Sequence, residues 1–391
     1  MKQLIFLVTI IFCSFSSIQA QMKVIAVVQD DKGVPIPNAT IYNSNTHRGV
    51  ITNKEGRFEL GAQSNDNLVI RCLGYKEYKS AAEKLQFAGI VVLKEEIFNI
   101  NEVTVTPNSI DVISIVKKFR ARIRYNYPKR PTVISGIYKE YSLIENEYYG
   151  FIQCDVDVFI NSIVSFSQPN FKTRVHDYKL FRHPNRENVE IIVSRGHLNN
   201  FWIFGYSYLW NYKEYQHSYA GYTTYNGSKL IKIKFHPKQI YKYATQIEGV
   251  MFIDTKTYAL VFLQYEMLPN EMDFYLFDGR LQKPIKGESK IMFEFDNGYY
   301  YPAYVITTQT SMGIVSDWKT KPNDKDTIHI DFVYNFFTKN VTYKSKSFNV
   351  DGLSFDNMFN NVGKDIFEQS KDYKSDFILE TKQEKQLFQP Y

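Results

Sequence analysis

Cysteine, tryptophan and long apolar runs are scarce in this chain of 391 residues, which holds 3 Cys and 3 Trp. Each scarcity excludes something. Cys13 lies in an apolar leader, so Cys72 and Cys154 stand alone, too few for a thiolate-only zinc site or a disulfide-stapled scaffold. They read as two buried thiols, because they fall in separate predicted domains. No segment after the leader reaches 18 uninterrupted apolar residues, the length of a membrane-spanning helix. A net charge of +6, from 47 basic and 41 acidic residues, is too thin for a nucleic-acid footprint. The seven His residues (His47, His176, His183, His197, His217, His236 and His329) form no His-Glu-x-x-His pair. No Gly-x-Ser-x-Gly elbow, phosphate loop, dinucleotide fingerprint or calcium loop occurs. The sequence therefore assigns no catalytic residue, no metal ligand and no cofactor.

What is present is aromatic and unevenly spread. Of 30 Tyr and 30 Phe, residues 1–124 hold 3 and 7; residues 125–391 hold the rest and all Trp, an aromatic fraction of about 20%. The chain is a composite. Its first twenty residues combine Lys2, a mostly apolar run from Leu4 to Phe15, and a terminal Ala20, the pattern of a secretory signal peptide. Bulky Phe12 before Cys13 argues against lipid attachment there. The expectation is an exported protein, periplasmic or associated with the outer membrane, and at most peripherally bound to lipid.

Residues 21–107 alternate in short strands separated by Gly, Pro and Asn, the spacing of a small β-sandwich. The succession Gly33-x-Pro35-x-x-Asn38-Ala39-Thr40-Ile41, then Gly49-Val50-Ile51-Thr52-Asn53-x-x-Gly56-x-Phe58-x-Leu60, then Leu73-Gly74-Tyr75, then Asn101-Glu102-Val103-Thr104-Val105-Thr106 runs through it in order. This resembles the carboxypeptidase-regulatory-like domain, a transthyretin-like sandwich at the start of many exported proteins of Bacteroidetes. The resemblance implies a scaffold without catalytic residues. It also implies accessory work in outer-membrane import or assembly as one possible role.

Residues 108–130 predict an amphipathic linker helix, with Ile110, Ile113, Val116, Phe119 and Ile123 on one stripe and Asn108-Ser109 before it. Its second half and exit carry Lys117, Lys118, Arg120, Arg122, Arg124, Lys129 and Arg130. Such cations read either as a surface for anionic lipid or polysaccharide or, preferably, as a solvated face complementing the helix dipole. Asn126-Tyr127-Pro128 and Gly136-Ile137-Tyr138-Lys139-Glu140 beyond it resemble a segment of uncharacterised Bacteroidetes envelope proteins.

Residues 131–350 alternate throughout, with Asn226-Gly227 and Asn297-Gly298 as hairpin turns. Glu145-Asn146-Glu147 and Asp254-Thr255-Lys256-Thr257 turn between two further pairs. The expected fold is therefore mainly β: a transthyretin-like sandwich, a linker helix, and a large antiparallel meander curled into an open or closed barrel, with a polar, partly helical tail over residues 351–391. Charges on both faces of Phe171–Phe181, and a C-terminal end lacking an alternating apolar strand, argue against a membrane barrel.

The densest aromatic run spans residues 201–212. Its Trp202, Tyr206, Tyr208 and Trp210 are the ligand-binding candidates, since such rings stack on sugars or line an apolar groove; the plainer reading is that they fill a curled sheet. Asp155, Asp157 and Asp254 are the candidate carboxylates of a hydrolase. Asp326-Thr327-Ile328 resembles a short O-glycosylation signal. The function expected is non-enzymatic binding of a glycan, a lipid or an envelope protein through the aromatic-rich domain, with a surface-polysaccharide hydrolase or an import and assembly accessory as the alternatives.

Overall fold

The computed structural model describes residues 22–46, 48–95, 110–144, 146–164, 171–184, 207–271, 273–277, 280–314, 327–343, 348, 351–355, 367–369, 384, 386 and 387. The leader 1–20, Asn101–Thr106, Asn108-Ser109, Trp202, Tyr206 and Asp326 lie outside these. The chain divides into two compact units, Met1–Glu95 with Asp376–Gln383, and Glu96–Ser375 with Glu384–Tyr391.

The first unit is a two-sheet sandwich of seven strands: β1 (Met22–Gln29), β2 (Thr40–Asn43), β3 (Arg48–Ile51), β4 (Arg57–Ala62), β5 (Asn67–Arg71), β6 (Tyr78–Ala81) and β7 (Ile90–Val92). One sheet runs β4-β1-β7 and the other β3-β2-β5-β6. Val24, Ala26 and Val28 alternate inward from β1 and meet Ile41, Phe58, Leu68 and Ile70 in one core. Each of those larger side chains contributes on the order of 2 kcal/mol by its burial. Among the described motif residues, Gly56, Asn53 and Thr52 hold turns. A Cβ on Gly56, at φ +72°, would lie 2.4 Å from the Val28 carbonyl oxygen, so only glycine fits the turn. Asn53 Oδ1 accepts from the backbone N–H of Glu55 (3.0 Å) and Arg57 (2.9 Å), and Thr52 Oγ1 donates to the Ile36 carbonyl at 2.7 Å. A short helix, α1 (Ala82–Ala88), joins the sheets; it has too few residues for periodicity to announce it.

The second unit opens with α2 (Val112–Asn126), whose N-cap is Asp111 accepting from Ser114 N–H at 2.9 Å. Val112, Val116, Phe119 and Ile123 are its buried stripe. Twelve strands follow: β8 (Thr132–Ile144), β9 (Glu147–Ile160), β10 (Phe171–Arg182), β11 (Tyr215–Tyr225), β12 (Ser228–Pro237), β13 (Ile247–Asp254), β14 (Leu260–Met267), β15 (Tyr275–Phe277), β16 (Arg280–Asp296), β17 (Tyr299–Ile314), β18 (Thr327–Tyr343) and β19 (Phe367–Gln369).

Both Asn-Gly turns form, with φ of 49° and 75° at Asn226 and Gly227 and 48° and 90° at Asn297 and Gly298. These positive values match the twist of the flanking strands. The path departs from a simple meander. Its order is β11-β12-β13-β14-β16-β17-β18-β8-β9-β10-β19, so the last long strand returns to pair with the first. β11 and β19 end the sheet and do not pair, among the described residues, which makes it an open sheet and not a closed barrel. Part of the tail, read from sequence as polar and partly helical, is a strand: β19 pairs with β10, and Val175 N–H donates to the Leu353 carbonyl at 2.7 Å. That covers an edge otherwise open to strand addition.

The two faces of the sheet differ. On the packed face, Ile233, Phe235, Met251, Leu263, Ile291 and Val305 are buried. Tyr127, at the end of α2, sets its ring 5.7 Å from Phe293 and donates from its hydroxyl to the Leu260 carbonyl at 2.8 Å. The opposite face at β11–β14 carries Lys232, Lys234, His236, Glu248, Gln264 and Glu266, beside the paired rings of Phe252 and Phe262.

Candidate functional site

The structure places two of the four aromatic candidates. Ser207–Leu209 forms a 3-10 turn that lays Tyr208 on the packed face, 5.3 Å from the Phe235 ring and 5.7 Å from that of Tyr265. Trp210 meets Phe119 of α2 at 6.4 Å. At 9% and 8% exposure, both rings lie inside the second unit and offer no open stacking surface.

The polar face of β11–β14 holds a groove of about 550 Å³, lined by Gln216, Ser218, Lys232, Lys234, His236, Glu248, Gln264 and Glu266 with the edges of Phe235, Gly249, Val250 and Tyr265. Strand register arranges its side chains in rows. Gln216 opposes His236, whose ring meets Glu248, and Glu248 opposes Glu266, while Ser218, Lys234, Val250 and Gln264 form the next row. Neighbours lie about 4.8 Å apart across strands and about 6.7 Å along them, a grid of donors and acceptors on rigid backbone.

The charges are only partly reconciled. His236 Nδ1 lies 2.5 Å from Glu248 Oε2, and Gln264 Nε2 donates to Glu288 Oε1 at 2.8 Å. Glu266 opposes Glu248 on one side and Glu288 on the other, and forms no ion pair among the described residues. Like charges directly opposed in a sheet cost up to about 1 kcal/mol per pair. Lys290 Nζ lies 3.0 Å from Glu288 Oε1, so Glu266 is the member of this row without a counter-ion among the described residues.

The carboxylates singled out from sequence have other partners. Asp157 accepts from Ser135 Oγ at 2.5 Å and Arg174 Nη2 at 2.8 Å, with His176 Nε2 at 2.9 Å. Burial works to raise its pKa, but these hydrogen bonds outweigh it and hold the carboxyl below the usual range. Asp155 pairs with Lys339 at 2.5 Å, and Asp254 Oδ1 caps its own turn by accepting from the N–H groups of Lys256 and Thr257. Glu248 and Glu266 were not singled out from sequence. Their opposition depends on the pairing of β13 with β14, which alternation alone does not reveal.

Residues 26–105 match the CarboxypepD_reg-like domain family. Across 106 residues, 27% of this chain, the sequence is 32% identical to the TonB-dependent receptor SusC of Bacteroides thetaiotaomicron. The chain spans about a tenth of that relative's length. Among solved structures, an outer membrane lipoprotein-sorting protein domain from Vibrio parahaemolyticus aligns at 10% identity with a TM-score of 0.29, over 61% of this chain and 94% of that one. A LolA superfamily protein from Nitrosomonas europaea aligns at 10% identity and 0.24, over 60% and 94%. Likeness at that level says nothing about what this chain binds. The N-terminal unit, in contrast, carries a CarboxypepD_reg-like domain, as its Gly56 turn and ordered motifs lead one to expect.

Proposed function

We propose that this is a non-enzymatic cell-envelope protein whose second unit binds a glycan in the polar groove of β11–β14, the first unit serving as an export-associated scaffold. The observation that carries the reading is the row of opposed carboxylates and neighbouring cations and amides on four paired strands. Hydroxyl-rich ligands need many donors and acceptors held at fixed spacing, and they satisfy carboxylates that the protein leaves facing one another. The CarboxypepD_reg-like domain and the SusC similarity favour the envelope as the setting.

Isothermal titration of the full chain with delipidated envelope polysaccharide, against dextran as a neutral control, tests this. Lys234→Ala with Gln264→Ala should weaken binding at least tenfold while unfolding stays unchanged. Equal binding by the variant, or none by the parent chain, refutes the reading.

A second reading, hydrolysis of the same glycan, rests on the cross-strand opposition of Glu248 and Glu266. Opposed Cβ atoms in a sheet fall about 5 Å apart, which places two carboxylates side by side on one face, the residue pair that glycoside hydrolysis uses. Release of reducing ends by the parent chain and not by Glu266→Gln would favour it.

A further inference from the structure

The outer face of α2 and the loop between β12 and β13 together form a feature that the groove does not use. Lys117, Lys118, Arg120, Arg122, Lys129 and Arg130 are exposed on or just after this helix, and none pairs with a carboxylate among the described residues. Tyr125 is 66% exposed, with the Arg122 guanidinium 5.8 Å and the Lys129 ammonium 5.1 Å from its ring. The patch continues past the helix. Lys117 Nζ lies 5.4 Å from the ring of Tyr212, whose carbonyl accepts from Lys238 Nζ at 2.8 Å.

Lys238 begins the β12–β13 loop, where Ile240, Tyr241 and Tyr243 are 55%, 53% and 69% exposed. Exposure of three large apolar or amphipathic side chains in four residues is costly in water. The loop is not slack. Gln246 Oε1 accepts from Tyr241 N–H at 2.6 Å, and its Nε2 donates to the Gln239 carbonyl at 2.9 Å, so the loop is held in shape with those side chains outward. The acidic groups nearby are Glu214 and Glu271, the latter paired with Lys242 at 2.7 Å.

We propose that this surface docks onto an anionic lipid membrane, the cations of α2 lying over the headgroups and Ile240, Tyr241 and Tyr243 entering the interface. Two features point to a bilayer and not to a soluble polyanion. Tyrosine beside lysine is the side-chain chemistry of a membrane interface, and the exposed apolar side chains follow directly on Lys238, which Tyr212 links to Lys117 of α2, so apolar insertion and cationic contact are available together. A cationic surface alone would fit a polysaccharide equally well; the rigid apolar tip would not.

Vesicle co-sedimentation of the full chain tests the proposal, with phosphatidylcholine alone and phosphatidylcholine mixed with phosphatidylglycerol, at low and high salt. The chain should bind the mixed vesicles, less so at high salt. Replacing Arg120, Arg122 and Lys129 by Gln should lower binding about a hundredfold, at roughly fivefold per charge. Ile240→Ser with Tyr241→Ser and Tyr243→Ser should lower it at both salt concentrations. All these side chains are exposed, and circular dichroism checks that the variants remain folded. Equal binding to the two vesicle types, retention by either variant, or binding to soluble anionic polysaccharide without binding to vesicles would overturn the proposal.

Discussion

Glu384→Ala is the most informative stability test, because it breaks a buried ion pair joining two distant parts of the chain. Lys139 on β8 is 5% exposed and Glu384 is 2% exposed. The ammonium lies 2.6 Å from Glu384 Oε1, which also accepts from the Tyr148 hydroxyl at 3.4 Å. Removing the carboxylate leaves a buried cation, which costs about 3–5 kcal/mol. The ammonium also lies 5.5 Å from the ring of Phe151 and 6.0 Å from that of Tyr141, contacts that offset about 1 kcal/mol of the cost. The expected loss is therefore about 2–4 kcal/mol.

Lys139→Met with Glu384→Leu removes both charges and should restore most of that stability, since apolar replacement of a buried pair is neutral or better. Hydrogen exchange in β8 and β9 measures the loss within this unit, avoiding a global midpoint that two units would blur. A single variant costing under about 1 kcal/mol, or a double variant less stable than the single, would refute the reasoning.

Other expectations follow from single residues. Gly249→Ala should destabilise the groove strands by about 2 kcal/mol or more, because its Cβ would lie 2.1 Å from the Gln264 carbonyl oxygen; wild-type urea resistance would show the strands can part. The hydrogen bonds to Asp157 depress its folded pKa, so their contribution is present above about pH 4 and is lost as pH falls through the folded value. Asp157→Asn should flatten the fall in urea midpoint between about pH 6 and pH 2.5. Burial lowers the pKa of His217, so the unfolded chain takes up that proton first, and stability should drop as pH falls below about 6.5. His217→Gln should remove that drop. Burial pushes the Cys72 thiol up to about 12 and that of Cys154 well above its usual value, so both should be alkylated more slowly at about pH 8 in the folded chain than after unfolding, buried Cys154 more so than half-buried Cys72. Peptide mapping by mass spectrometry reads both sites.

Local features were legible in the sequence and long-range ones were not. Asn226-Gly227 and Asn297-Gly298 announced hairpins because two residues suffice to set their backbone angles. The apolar stripe of α2 showed most of its buried face for a similar reason: Val116, Phe119 and Ile123 are buried, while Ile110 and Ile113 are half-buried and Val112 packs instead, one residue after the Asp111 cap. The return of β18 to β8 links residues about two hundred positions apart, and alternation is the same whichever neighbour a strand takes. The groove stayed hidden for that reason: Glu248 and Glu266 become a pair only through strand order and register. The aromatic run at 201–212 has no period, so its composition leaves the direction of its rings open. Tyr208 and Trp210 turn inward because Phe235, Tyr265 and Phe119 give them apolar neighbours. Glu384 gave no signal at all, since its partner lies far away in sequence, on β8.

Hydrogen exchange of the full chain with and without delipidated envelope polysaccharide tests the central claim most directly. Slower exchange confined to peptides of β11–β14 is the predicted result, abolished by Lys234→Ala with Gln264→Ala. Protection elsewhere with β11–β14 unchanged, or no protection at saturating polysaccharide, would contradict the account.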